Sequence, residues 1–245
     1  MHSIPRQVLV ALPAVFGIDL SITNEVVLLW LAAGLTFGVV ALACRRPEPV
    51  PRGGFANFFE TIIEFLDRAV IKDGIGEDGA RWSPFLLTLF FFILFANLFG
   101  LVPLPSHAQA MTANINVTCA LAVITFTITV VVNVTHHGLL GFLKKFVPTG
   151  VSRWILPFVI PIEIISWLAR PVSLAIRLFA NMMAGHALVL VFLGLAASLT
   201  WFIKPFPFAG AVVMSAFELF VAFVQAFIFT LLSGIYIKDA LESSH

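Results

Sequence analysis

Arg177 stands in the middle of PVSLAIRLFANMMAGH, residues 171–186, a stretch with no acidic residue. An arginine at the centre of an apolar helix costs about 2.5–3.5 kcal/mol on insertion scales, so its default reading is functional and it needs a partner. At about 100° per residue, Ser173, Arg177 and Asn181 share one helix face, and Arg170 lies close to it. Glu163 falls within about 40° of that face, whereas His186 projects about 180° away. One helix therefore carries two polar faces, one centred on Arg177 and the other on His186.

Glu218 and Gln225 lie seven residues apart on a later apolar run, nearly in line. A lone carboxylate in hydrocarbon takes up a proton, so Glu218 needs a polar neighbour. In an antiparallel hairpin turning near residue 205, Glu218 lies 13 residues past the turn and His186 19 before it. That leaves them roughly one to two turns apart in height, within reach if the helices are staggered. A histidine–glutamate pair there can relay protons, since imidazole changes charge near neutral pH. Asn97, on an earlier run, would extend such a path with a water-holding amide. An Arg⁺ without an acid on its own chain wants a carboxylate from a partner subunit. The His186 face would deliver protons to that carboxylate, and the Glu163 side would offer a second route.

Structural alternatives exist for each group. Arg177 could cap the carbonyls of a neighbouring helix, and His186 with Glu218 could form a fixed interhelical bond. Ser173, Asn181 and Gln225 belong to types that commonly glue membrane helices together. Glu163, close to Arg153 and Trp154, could be an interfacial anchor.

The elements that must position these groups are apolar. Of 245 residues, 60% are hydrophobic and 11% charged, with a mean hydropathy of +1.04; ordinary globular chains run at about 45–50% apolar and about 25% charged. The bilayer is the solvent of such a chain. The net charge of +1 points to neither nucleic acid nor an acidic substrate. Crossing about 30 Å of hydrocarbon takes about 20 apolar residues, and residues 26–44, 84–104 and 117–137 are suited to it. Ser83-Pro84 reads as an N-cap followed by proline at the first helical position. Residues 1–25 read as an extramembrane segment whose short apolar stretch mimics a signal peptide. Residues 26–245 then form a single membrane domain.

Between the first two spans, residues 54–72 carry an amphipathic pattern. Phe55, Phe58, Phe59, Ile62, Phe65, Leu66, Ala69 and Val70 recur on one side, with Glu60, Glu64, Asp67, Arg68 and Lys72 on the other. This mixed-sign face suits a surface-lying connector and a docking site for a protein partner equally well. Residues 152–200 and 208–240 are each too long for one upright crossing, and the break at Lys204-Pro205-Phe206-Pro207 makes them a steeply tilted hairpin. The expected fold is all-α and integral to the membrane, with about five membrane helices, that hairpin and one interfacial helix. Loop cations alternate: Arg45, Arg46, Arg52, Arg68, Lys72 and Arg81 after the first span, none from 105 to 115, then Lys144, Lys145 and Arg153. This places the N-terminus outside and the C-terminus in the cytoplasm. Cys44 and Cys119 fit no metal or redox spacing and read as core residues. His136 and His137 lack further ligands at metal spacing, and no metal or cofactor is expected.

The segments RPVSLAIRLFANMMAGH, SAFELFVAFVQAFIFTLLSGIYI and FANLFGLVP resemble subunit a of the F-type ATP synthases, from about residue 25 to the C-terminus. The resemblance implies a non-catalytic stator subunit in a complex whose ATP chemistry lies on other subunits. Its long hairpin would wrap a rotating ring of c subunits, with peripheral-stalk b subunits as further partners. Arg177 matches the family's essential arginine, which faces the ring carboxylate. His186 and Glu218 match polar positions of the outer half-channel, exchanged in order in some members. Asn181 and Gln225 match positions near the arginine, Glu163 an acid of the inner half-channel, and Asn97 an asparagine near the outer one. Gly100 and Leu101 stand where some bacterial members carry acids. The length suits a bacterial inner membrane, with the mitochondrial inner membrane as the alternative. The competing classes are a self-contained channel or secondary transporter, against which stands the lack of internal repeats, and a structural assembly protein.

Overall fold

The computed structural model describes residues 8–10, 21–43, 54–76, 79–101, 111–147 and 154–242. Cys44, Arg45, Arg46, Arg52 and Arg153 lie outside these residues, as do most of residues 1–25. The described chain is an all-α bundle, apart from a two-strand ribbon in which β1 (Val8–Val10) pairs antiparallel with β2 (Ile22–Thr23). Five helices are long and apolar enough to cross a membrane: α1 (Asn24–Ala43), α3 (Gly79–Leu101), α4 (Ile115–Lys144), α5 (Leu156–Ser198) and α6 (Pro205–Leu241). The sixth, α2 (Gly54–Leu66), continues into a wider π-helical stretch, Asp67–Ile75.

The core lies where α3, α6 and the π-helical stretch meet. Phe90, Phe91, Ile93, Phe229 and Ile237 are buried there with Leu66 and Val70. Aromatic rings link the layers, with Phe59 at 5.9 Å from Phe91, Phe65 at 5.3 Å from Phe227 and Phe90 edge-on at 5.6 Å from Phe223. Between helices in lipid the drive is close packing rather than hydrophobicity, which favours small residues at the contact. On α6, Ala222, Ala226, Gly234 and Ala240 are buried, and Val70 packs onto Gly234. Part of the apolar side of the amphipathic segment, Phe59, Ile62, Leu66 and Val70, thus packs into the core with α3 and α6, while Phe58 and Phe65 stay exposed. Its charged side pairs locally, Glu64 with Arg68 at 3.6 Å and Asp67 with Lys72 at 2.8 Å.

Two boundaries differ from the sequence expectation, both at prolines that the helices include. The α3 helix starts at Gly79 and contains Pro84, so Ser83 is not its cap. Proline there has no N–H to donate, so the Ala80 carbonyl loses its usual partner one turn back. The α6 helix begins at Pro205, and the turn occupies residues 199–204. Pro161 and Pro171 leave α5 continuous over 43 residues, about 65 Å at 1.5 Å per residue. Neither hairpin helix fits upright in about 30 Å of hydrocarbon, so both lie steeply over. The α4 helix bends at Gly138, whose φ of 70° most side chains avoid.

Candidate functional site

The hairpin of α5 and α6 holds most of the ionisable groups singled out from the sequence. Along its 43 residues α5 buries Leu174, Ala175, Leu178 and Met182. These recur at helical spacing and mark the side turned to the bundle. Arg177 lies on the other side, exposed, among exposed Ser173, Ala180 and Ala184. It makes no ion pair or side-chain hydrogen bond among the described residues. The small neighbours leave the guanidinium accessible to whatever approaches this face.

His186 is turned inward. Its Nε2 lies 2.9 Å from the carbonyl oxygen of Gly100, in the last turn of α3, and its Nδ1 lies 3.5 Å from Oε1 of Glu218. A carbonyl oxygen only accepts, so Nε2 carries the hydrogen. In the neutral form of the ring, that tautomer turns an unprotonated Nδ1 toward the carboxyl group. A separation of 3.5 Å exceeds the usual range of about 2.7–3.2 Å, and neither atom has a hydrogen-bond partner among the described residues.

The contact depends on where the hairpin turns. With the turn centred near residue 202, His186 lies 16 residues before it and Glu218 16 after. Reading Pro205 and Pro207 as turn residues displaces the centre and produces the offset of one to two turns. Backbone packing also contributes. A Cβ on Gly185 would overlap the Glu218 carboxyl group, so glycine lets Glu218 lie flat against α5. Glu218 and Gln225 are both buried, and with Asn181 and Gly185 they line a hollow of about 260 Å³ between the two helices. Asn181, placed by periodicity with Arg177, thus borders the Glu218 side as well.

Asn97 differs from the open, water-holding amide expected. It is fully buried, donates through Nδ2 to the carbonyl of Ala222 at 3.1 Å and accepts through Oδ1 from the Thr112 hydroxyl at 2.6 Å. It braces α3 against α6 one turn beyond Glu218. Glu163 is partly exposed near the far end of α5, without an ion pair among the described residues. The structure does not bring it to Arg177.

A second ionic cluster went unrecognised in the sequence. Asp239 accepts from Arg170 at 2.9 Å and lies 3.1 Å from Nζ of Lys145, which also donates to its backbone carbonyl at 2.8 Å. The Arg170 guanidinium sits 5.5 Å from the centre of the Tyr236 ring, and His137 Nε2 lies 3.1 Å from the carbonyl of Ala240. This ties α4 and α5 to the end of α6. Hairpin counting was the available signal, since Arg170 lies 32 residues before position 202 and Asp239 37 after it. Among the described residues no group of three or more His, Cys, Asp or Glu could hold a metal ion.

Long apolar helices carrying mid-helix ionisable groups define an α-helical, multipass membrane protein. The sequence model of the family described as ATP synthase A chain matches residues 26–238. The chain belongs to that family. Among similar proteins, "ATP synthase subunit a" of Beijerinckia indica subsp. indica is 39% identical, with 94% of this chain and 90% of that protein covered. The protein of the same description from Azorhizobium caulinodans is 38% identical, covering 100% and 98%. That of Myxococcus xanthus is 42% identical, covering 93% and 75%.

Proposed function

We propose that this chain is the stator subunit of the proton-translocating membrane sector of an ATP synthase, supplying two half-channels and the arginine that separates them. The observation that carries this reading is Arg177, a guanidinium without a counter-charge among the described residues, on the exposed face of a long apolar helix. Its counter-charge would be the carboxylate of a rotating c ring. The ring, the peripheral-stalk b subunits and the rest of the complex are the implied partners, and the chain does no ATP chemistry itself. It would sit in a bacterial inner membrane, N-terminus outside and C-terminus in the cytoplasm.

A proton driven by the membrane potential, worth about 2.3 kcal/mol per 100 mV, would enter on the outer side and reach His186 and Glu218. The unprotonated Nδ1 facing Oε1 supports a transfer between them, and Gln225 and Asn181 border the hollow leading on. The ring carboxylate takes the proton there, since only its neutral form rotates cheaply through lipid. On reaching Arg177 from the other side, the acid meets a fixed positive charge that stabilises its ionised form. It then releases the proton toward Glu163 and the cytoplasm. Arginine stays charged at every relevant pH, so it also blocks direct passage between the two routes. Ser173 keeps the arginine's face open. Asn97 acts on the outer route by bracing α6.

The test is ATP-driven proton pumping in membrane vesicles, comparing wild type with Arg177→Ala and Glu218→Gln. Pumping should vanish in both, and the Arg177→Ala complex should also become passively leaky to protons. Preserved pumping in Arg177→Ala would make the arginine structural and overturn the reading.

A further inference from the structure

We infer that the seam between α3 and α4 is a binding site for one anionic phospholipid. Both helices pack on α6 but scarcely on each other. At the α3 start of the seam lies a cavity of about 230 Å³ bordered by Arg81, Trp82, Thr135, His136, Val132 and Leu241. Farther along, the same two helices line an apolar groove of about 500 Å³ with Phe85, Leu89, Phe92, Val117, Leu121 and Ile124. Helical periodicity puts the residues of both hollows on one face of each helix. Arg81 and Phe92 are 11 residues apart, about 16 Å along α3, close to the depth of one leaflet's acyl chain. The polar cavity and the groove thus have the outline of a headgroup followed by a chain.

Charge selects the headgroup. Arg81 and His136 are exposed and form no ion pair among the described residues. Among the described residues, the acids at this end are engaged elsewhere, Asp239 with Arg170 and Lys145, and Glu242 with Lys238 at 3.9 Å. The Thr135 hydroxyl donates to its own helix at Val131 and Val132, with its oxygen left to accept. Trp82, held edge-on to Phe85 at 6.4 Å, is the amphipathic kind of ring that favours the headgroup level. Basic pockets between membrane helices hold anionic headgroups. A free phosphate would satisfy the cations and leave the apolar groove unused, whereas a phospholipid fills both.

Trp82 is a built-in reporter. The full chain with its other four tryptophans changed to phenylalanine would be reconstituted in phosphatidylcholine vesicles. Phosphatidylglycerol or phosphatidylcholine brominated high on the acyl chain is then titrated in, and Trp82 quenching followed. Brominated phosphatidylglycerol should bind about fivefold more tightly than its zwitterionic counterpart, as one surface cation implies, and Arg81→Ala should remove the difference. Equal quenching by the two lipids, or no quenching, would overturn the assignment. So would a preference surviving in Arg81→Ala, or quenching relieved by excess inorganic phosphate. Because the tryptophan replacements could disturb packing, native mass spectrometry of the unsubstituted chain provides an independent check. It should retain one more tightly held phosphatidylglycerol than Arg81→Ala, and equal retention would sink the proposal.

Discussion

Arg170 and Arg177 stand on the same helix, seven residues apart, and the fold treats them oppositely. Arg170 has Asp239 at 2.9 Å and the Tyr236 ring beneath it. Arg177 is exposed and has neither. The difference is instructive because both lie on a helix that is mostly outside the chain's own core. Where a guanidinium serves to hold helices together, this chain brings an acid and a ring to it. At Arg177 it brings alanine and serine. A bare cation on an apolar span is costly to maintain, and the proposed ring carboxylate would offset that cost as it passes.

The comparison breaks most sharply under a charge-conserving swap. Arg177→Lys should reduce ATP-driven pumping at least about a hundredfold, because lysine loses its proton readily in an apolar site and lacks the planar fork. Arg170→Lys should pump within about twofold of wild type, since a lysine still reaches Asp239 across a partly exposed pair of modest worth, roughly 1 kcal/mol or less. Equal losses in the two variants would mean that both arginines are structural. Equal tolerance would mean that neither needs arginine's geometry.

The next effect sharpens the contrast between a gate and a relay. Gly185→Ala should displace the Glu218 carboxyl group, because the added methyl overlaps it. Pumping should fall severalfold to tenfold. A companion change, Glu218→Asp, withdraws the carboxyl group by one methylene and should restore part of the rate in the double variant. Each single change alone should be worse than the pair. If the pair were no better than Gly185→Ala, the crowding would act on helix packing rather than on the carboxylate.

Much of this arrangement was legible in the sequence, and the exceptions share a cause. Five apolar runs, two of them overlong, are set by hydropathy and length alone. The pairing of His186 with Glu218 followed from hairpin geometry. Its register was misjudged because proline reads as a breaker, yet Pro205 and Pro207 sit inside the first turn of α6. Asn97 and Asp239 were harder. The Asn97 partners, Ala222 and Thr112, lie on other elements, and one of them is a backbone carbonyl that no sequence pattern marks. Asp239 lies at the end of the last apolar run, and the same counting that paired His186 with Glu218 would have brought it near Arg170. The π-helical stretch after Leu66 breaks the 3.6-residue period on which such reading depends.

The smallest expected effect concerns Ser173, which shares the Arg177 face and is exposed. If the hydroxyl carried protons, Ser173→Ala should slow pumping about as much as Ser173→Leu. If the face must stay shallow so that a partner helix can pass close to the guanidinium, size is what counts. Ser173→Ala should then pump within about twofold of wild type, while Ser173→Leu, adding bulk one turn before Arg177, should cost severalfold. The ratio between the two variants is the informative quantity, since both remove the hydroxyl and differ only in volume. A ratio near one would assign Ser173 to the proton path and withdraw the claim that this face is shaped for close approach.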